Sequence, residues 1–163
     1  MDLETYVQRY YLEKILYAAN RRFADMSAGQ FELRMVDEEN AGKGKNRGLD
    51  LMVYSNVTGK EREVRTLSGG ESFMAALALA LGMADQIQAS SASVDLDMMF
   101  IDEGFGSLDE HSRDQAVKVL QNMAEGEKLI GIISHVTELK QEIEDQLIVT
   151  KDDQGSHTRW QIS

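Results

Sequence analysis

The chain has 163 residues and a mass of 18.3 kDa, with 17 basic and 28 acidic side chains for a net charge of -11, no cysteine and no proline. This length buries a real core without staples, and the missing cysteines exclude a disulfide framework, a Cys-ligated zinc and a thiol nucleophile. Average usage would put about eight prolines here, so a Pro-rich linker is excluded too, and the acidic balance requires any nucleic-acid contact to come from a local basic patch.

The opening Met1-Asp2-Leu3-Glu4 has neither the basic nor the apolar region of a signal peptide,. The longest apolar stretch, Phe73 to Ala84 with Gly82 inside it, covers 12 residues and is too short to span a bilayer,. The expectation is a soluble cytoplasmic protein without a membrane partner. Residues 1–27 predict one helix: Leu12, Ile15, Leu16, Ala19, Phe23 and Met26 recur at spacings of three and four, while Glu13, Lys14, Asn20 and Arg21 take the other face,. Phe31, Leu33 and Met35 then alternate, as do Leu49, Leu51 and Val53, which predicts a hairpin with the polar, Gly-rich segment 37–48 as a long loop,. A short strand over Glu63 to Thr66 is expected next.

Ser68-Gly69-Gly70-Glu71 opens an Ala- and Leu-rich run with no polar face, which predicts a helix buried all round and a polar, Ser-rich exit from Gln86 to Ser93,. Met98 to Ile101 and Leu129 to Ile133 read as buried parallel strands. Between them a helix from about Glu110 to Ala124 turns Ala116, Val117, Leu120 and Met123 inward. A short helix with Leu139 and Ile143 inward follows, then a terminal hairpin of residues 147–150 and 158–162 around a loop of Lys151 to Ser156. The pairs Tyr10-Tyr11 and Met98-Met99 are assigned to the core. The order is that of an α/β core behind an antiparallel preface.

Several positions could carry chemistry. Asp102-Glu103 places two carboxylates at the end of an apolar strand, where open α/β sheets bind ligands. Mg²⁺ is held by one or two carboxylates plus water and phosphate oxygens, and a second acid can orient a water for phosphoryl transfer; a solvated strand end is the plain alternative. His135 ends the second buried strand and could equally be a surface residue, with Ser134 capping the next helix. Ser68 and Glu71 have the spacing of a capping box, and Gly69-Gly70 adds a close backbone approach for an anion at a helix N-terminus. The phosphate loop G-x-x-x-x-G-K-[ST] fails at all three Gly-Lys pairs,. Lys43, Lys45 and Arg47 form the compact basic cluster, either a solvated loop or a contact to a phosphate backbone.

Taken in order, Thr66 to Glu71, Met99 to Glu110 and Ser134-His135 resemble the signature motif, Walker B strand, D-loop and H-loop of the ABC-type ATPase head. Gly104-Phe105-Gly106 after Asp102-Glu103, and the passage from the first helix into Met26 to Leu33, are similar to the SbcC-like branch of that superfamily, relatives of the double-strand-break repair ATPases. Transporters of the superfamily usually carry proline where this chain has Gly104. Ser107 stands where the family often has Thr.

The resemblance implies an α/β fold, the C-terminal lobe of an ABC-type P-loop ATPase head. Residues 1–27 would be a helix continuing a coiled coil, residues 28–163 the lobe itself, and the Walker A lobe would lie elsewhere. ATP and Mg²⁺ are the implied cofactors. Ser68, Gly69, Gly70 and Glu71 would bind nucleotide held by a second head, with Asp109 linking the two sites. Asp102 would sit on the Mg²⁺ shell, Glu103 would polarise the attacking water, and His135 would contact the γ-phosphate. The implied partners are the N-terminal Walker A lobe, a second head in an ATP-sandwiched homodimer, an SbcD-like nuclease and double-stranded DNA ends, for processing ends and hairpins near the nucleoid. The lobe alone is expected to be inactive. An SMC-type or other DNA-repair lobe with a tethering role is the alternative reading.

Overall fold

Asp2 accepts a hydrogen bond from the Thr5 amide at 2.7 Å and so caps α1, Leu3–Met26,. The computed structural model describes residues 2–36, 49–90, 96–126 and 128–162. Burial on α1 begins at Leu16 and continues through Ala19, Phe23 and Met26, in register with the expected stripe. Ahead of Leu12, which packs on the edge of the core, the helix lies outside it. Tyr10 and Tyr11, expected inside, are 48% and 49% exposed and meet each other edge-on. Asn20, expected to face solvent, turns inward instead. Its amide donates to the Leu33 carbonyl and its oxygen accepts from the Leu33 amide, at 2.9 and 2.8 Å. Leu33 lies on an edge strand, and this side chain supplies the partners that a neighbouring strand would have given.

That strand is β1, Phe31–Met35, which pairs antiparallel with β2, Leu51–Ser55, setting buried Leu33 against buried Val53. β2 pairs antiparallel with β3, Lys60–Glu63. The third strand therefore starts three residues before the expected position. The cause is the tight turn Asn56–Gly59, where the Gly59 amide donates to Ser55 and locks Ser55 opposite Lys60. Residues 64–66 become a 3-10 turn.

The central helix α2, Gly69–Ser90, crosses α1 at its closest point at Gly82. A Cβ on Gly82 would lie 2.7 Å from both the Ala19 nitrogen and the Ile15 carbonyl oxygen, so the pairing of Ala19 with glycine sets how near the two helices come,. Arg22 on α1 and Asp85 on α2 pair beside this crossing. Two expectations for α2 change. It runs four residues beyond Gln86, and it is not buried all round, since Ala76, Ala80, Met83 and Ile87 form an exposed stripe. By length and composition α2 would pass for a membrane span, but Met74, Ala75, Leu77, Ala78 and Leu81 are buried and make it the core helix of the lobe.

β4, Met98–Asp102, and β5, Leu129–Ile133, form a parallel pair with Phe100 opposite Gly131 and Asp102 opposite Ile133. They are joined through α3, Glu110–Ala124, whose Ala116, Val117, Val119 and Leu120 are buried. One face of the pair packs on the core through Met99, Ile101, Ile130 and Ile132. The other face is open, and here the expected burial on both sides fails. Met98, Phe100, Leu129 and Ile133 are each 54–63% exposed, because no described element covers them. α4, Leu139–Glu142, is one turn anchored by buried Leu139. β6, Gln146–Asp152, and β7, Gly155–Gln161, close the chain as a hairpin. Its turn is only Asp153-Gln154, so most of the expected loop is strand.

The α1–α2 crossing yields a sign test. Gly→Ala in a helix normally stabilises by about 1 kcal/mol, yet Gly82→Ala must push α1 away and should cost about 1–3 kcal/mol. Thermal unfolding checks this, and a variant as stable as the parent would refute the close approach.

Candidate functional site

Two adjacent strand ends supply the first group of residues. Asp102 closes β4, and the Glu103 amide still donates to the Ile133 carbonyl at 2.8 Å, so the ladder runs one residue past the strand. The backbone then enters the left-handed region at two successive residues, φ 59° at Glu103 and 101° at Gly104. A non-glycine residue there costs on the order of 1 kcal/mol and persists only where its surroundings enforce it. The turn brings the Glu103 carboxylate toward the end of β5, where Oε2 lies 2.9 Å from Nδ1 of His135. Both side chains remain accessible, 48% and 83% exposed. Gly104 also answers a question of sequence. Proline holds φ near -65° and cannot take this position, and a Cβ would run into the Phe73 ring. Ser134 does not cap α4 as expected, since its hydroxyl instead accepts from the Val136 amide at 3.1 Å.

The second group gathers at the start of α2. Ser68 and Glu71 form the expected capping box, with the Ser68 amide donating to Glu71 at 2.8 Å and the Glu71 amide to the Ser68 hydroxyl at 3.2 Å,. Capping thus engages these two amides and does not use those of Gly69 and Gly70. Arg62 of β3 reaches Glu71 at 2.9 Å. Burial pushes the Glu71 carboxyl up, but the Ser68 amide and the Arg62 guanidinium outweigh it and hold the carboxyl below its ordinary value. Gly70 has a packing reason as well, because a Cβ there would stand 2.7 Å from the Ser107 carbonyl oxygen. Asp109 caps α3, accepting from the Ser112 amide at 2.8 Å and hydroxyl at 3.0 Å, and these bonds lower its pKa.

Ser68, Gly70, Glu71, Ser107 and Asp109 line one cleft of about 290 Å³. Asp102, Glu103 and His135 do not border it. The site residues therefore fall into two sets. Sequence reasoning missed the cleft's other wall, Ser27 and Gln30 from the turn after α1 and His111 from α3. The polar run Ser27-Ala28-Gly29-Gln30 between a helix and a strand was the available signal. Lys43, Lys45 and Arg47 lie outside the described residues.

Among the described residues no three acidic or imidazole groups converge as a metal cage. A lone strand-end aspartate fits a Mg²⁺ ion that takes its remaining ligands from phosphate and water, which is how Mg²⁺ usually binds. It does not fit a structural metal.

Comparison with known proteins gives a consistent family. The family described as SbcC/RAD50-like, Walker B motif matches residues 29–122. The SbcC component of nuclease SbcCD from Vibrio cholerae is 48% identical over 159 residues, covering 98% of this chain and 16% of that protein. The same-named protein of Treponema pallidum is 48% identical over 147 residues, covering 90% and 14%. The chain aligns with the C-terminal end of these proteins and so spans about one sixth of their length. Among solved structures, a chain from work on ATP-driven dimerization and DNA-stimulated activation of SMC ATPases superposes with a TM-score of 0.73 at 18% identity, over 96% of this chain and 88% of that one. The Smc head domain of Pyrococcus yayanosii, with a coiled coil and joint, gives 0.68 at 19% identity over 91% and 26%. At such identities the likeness is one of fold: an α/β ATPase lobe.

The Glu71 carboxyl, held below its ordinary value, contributes stability that is present above the ordinary carboxylate range and lost as pH falls through the folded-state value,. Glu71→Gln keeps a capping-box partner but leaves Arg62 without its counter-charge. It should cost under about 1 kcal/mol at neutral pH and flatten the loss of stability in acid. Unfolding curves across that range decide it, and superimposable acid limbs would refute the pairing.

Proposed function

The chain belongs to the SbcC/RAD50-like ATPase family, and from that premise we propose that it is the C-terminal lobe of a head that binds and hydrolyses Mg²⁺-ATP to control a nuclease at DNA ends. The observation that carries this reading is the strand-end constellation, Asp102 beside Glu103 with Glu103 held 2.9 Å from His135, two residues past the end of the neighbouring strand. In this reading Asp102 holds Mg²⁺, which when bound neutralises charge on the transferred phosphoryl group. Glu103 orients the attacking water and accepts its proton. His135, as an Nδ1–H donor, keeps the carboxylate aimed and presents its far ring edge to the γ-phosphate.

The division of the site supports nucleotide sandwiched between two heads. Ser68, Gly69, Gly70, Glu71 and Asp109 would address ATP carried by the second head, where the helix N-terminus and its amides suit an anion. The open faces support a lobe partner. A parallel pair is normally covered on both sides, and exposed Met98, Phe100, Leu129 and Ile133 are the surface that an N-terminal Walker A lobe would close. Residues 1–27 would continue a coiled coil, consistent with the unburied first half of α1. Relatives named as the SbcC component of nuclease SbcCD support an SbcD-like nuclease partner; double-stranded DNA ends as substrate and a cytoplasmic setting near the nucleoid belong to the same proposal. If Lys43, Lys45 and Arg47 touch DNA, they do so through the phosphate backbone.

This chain alone should show no steady ATP turnover. Mixed with a Walker A lobe it should associate in an ATP-dependent way, followed by size-exclusion chromatography, and hydrolyse ATP. Glu103→Gln should keep the association and lower turnover by on the order of 10²- to 10⁴-fold. Turnover by the isolated chain that Glu103→Gln abolishes, or unchanged turnover by Glu103→Gln in the two-lobe head, overturns the assignment. Phe100→Ser should weaken the lobe association while changing the stability of this chain by no more than about 0.5 kcal/mol.

A further inference from the structure

The left-handed pair Glu103-Gly104 needs something to enforce it, and the hydrogen bonds account for only part of this. The Glu103 amide is tied to Ile133, and the Gly104 carbonyl accepts from the Ser107 amide at 3.2 Å and from its hydroxyl at 2.7 Å. These bonds fix the peptide groups on either side. They leave the Cα of Gly104 without a wall. That wall is Phe73, which lies so close that a Cβ on Gly104 would collide with its Cε2 and Cδ2. Phe73 is itself held by Phe105, which is fully buried, with ring centroids 4.9 Å apart and planes at 63°, a favoured edge-to-face arrangement. Phe73 sits on the second turn of α2, close behind the capping box of Ser68 and Glu71.

We propose that Phe73 is a positioning residue for Glu103: its ring buttresses Gly104, holds the left-handed turn, and so sets the Glu103 carboxylate against His135. The reasoning is steric. A glycine released from its wall has access to most of φ/ψ space, and Glu103, the strained member, then relaxes to an ordinary extended or helical φ. Relaxation at Glu103 redirects its side chain away from the end of β5. In this proposal Phe73 acts on the carboxylate through Gly104. A consequence follows for the whole lobe: the same helix turn that presents Ser68 and Gly70 to the cleft also sets the carboxylate at the strand end, so a shift of α2 is felt at both. The kinetic part of this proposal rests on Glu103 being the water-orienting residue; the geometric part does not.

The test separates the two. In this chain, the ring nitrogen and proton signals of His135, followed by NMR, report its hydrogen bond to Glu103. Glu103→Gln replaces the charged acceptor by a neutral amide oxygen, should move them, and serves as the reference for a weakened pair. Phe73→Ala should move them in the same direction, through the released turn at Gly104. His135 signals left at their parent positions by Phe73→Ala, while Glu103→Gln shifts them, overturn the proposal. In the two-lobe head, Phe73→Ala should lower kcat by on the order of 10- to 100-fold with KM for ATP and ATP-dependent association unchanged. Loss of association together with kcat would make Phe73 a packing residue and nothing more, which also overturns it. Gly104→Ala forces the ring aside and should lower kcat similarly, and the double variant should be no worse than the poorer single one, because both act through one contact; effects that multiply refute that route. If Phe73→Ala does not fold, Phe73→Leu keeps most of the volume without the flat ring, and parent kcat and parent His135 signals in that variant refute the proposal. Turnover unaffected by Glu103→Gln fails the functional reading separately, and leaves the NMR arm to decide the geometry.

Discussion

The packing of the first two turns of α2 against the loop Gly104–Leu108 is the constraint on which the rest of the lobe depends. Gly70 admits the Ser107 carbonyl, Gly104 admits the Phe73 ring, and Phe105 fills the space beneath. Each contact requires a residue without a side chain on one side and a fixed backbone or ring on the other. Two glycines in different parts of the chain are thereby explained by one interface. The loop that leaves the β4 strand end cannot move without disturbing the helix start, and the helix start is anchored in turn by its capping box and by Arg62 from the antiparallel sheet. Three segments far apart in sequence share one rigid corner.

The hydrophobic core reinforces this corner. Phe23, Met26, Leu33, Val53, Leu81, Phe105 and Val117 are fully buried and come from α1, the antiparallel sheet, α2, the loop after β4 and α3. Burying each contributes about 1.5–3 kcal/mol relative to exposure. Because the glycine at position 82 lets α1 and α2 approach closely, the core forms between them, and the strand pair β4–β5 rests on its flank with one side uncovered.

Much of this was legible in the residues. Helices and strands with strong periodicity came out where the spacing put them, and the capping box was readable from Ser68 and Glu71 alone. The failures have physical causes. Tyr10, Tyr11 and Met98 look like core residues because apolar character is a property of the side chain, whereas exposure here depends on a covering surface that these residues do not specify. The all-apolar face of α2 failed for the same reason. Asn20 was misread because its polar amide meets an edge strand, a tertiary fact that no local pattern encodes. The double left-handed turn at Glu103-Gly104 was half legible: glycine signalled freedom at one residue, but nothing announced that the glutamate before it would share the conformation.

These misreadings bear on function. Residues that a sequence marks as buried and a lobe leaves exposed are the ones whose environment is completed by another surface. Met98, Phe100, Leu129 and Ile133 form a continuous apolar face on one side of β4 and β5, directly behind the strand ends that carry Asp102 and the Glu103–His135 pair. A surface that covered this face would rest against the strands that carry the carboxylates, and would fix the direction in which those strand ends point. The cleft residues Ser68, Gly70 and Asp109 stand apart from that face and are joined to it through the Gly104–Leu108 loop and through the core that α2 and α3 share with β4 and β5. Where that loop meets α2, an aromatic ring packs against a glycine.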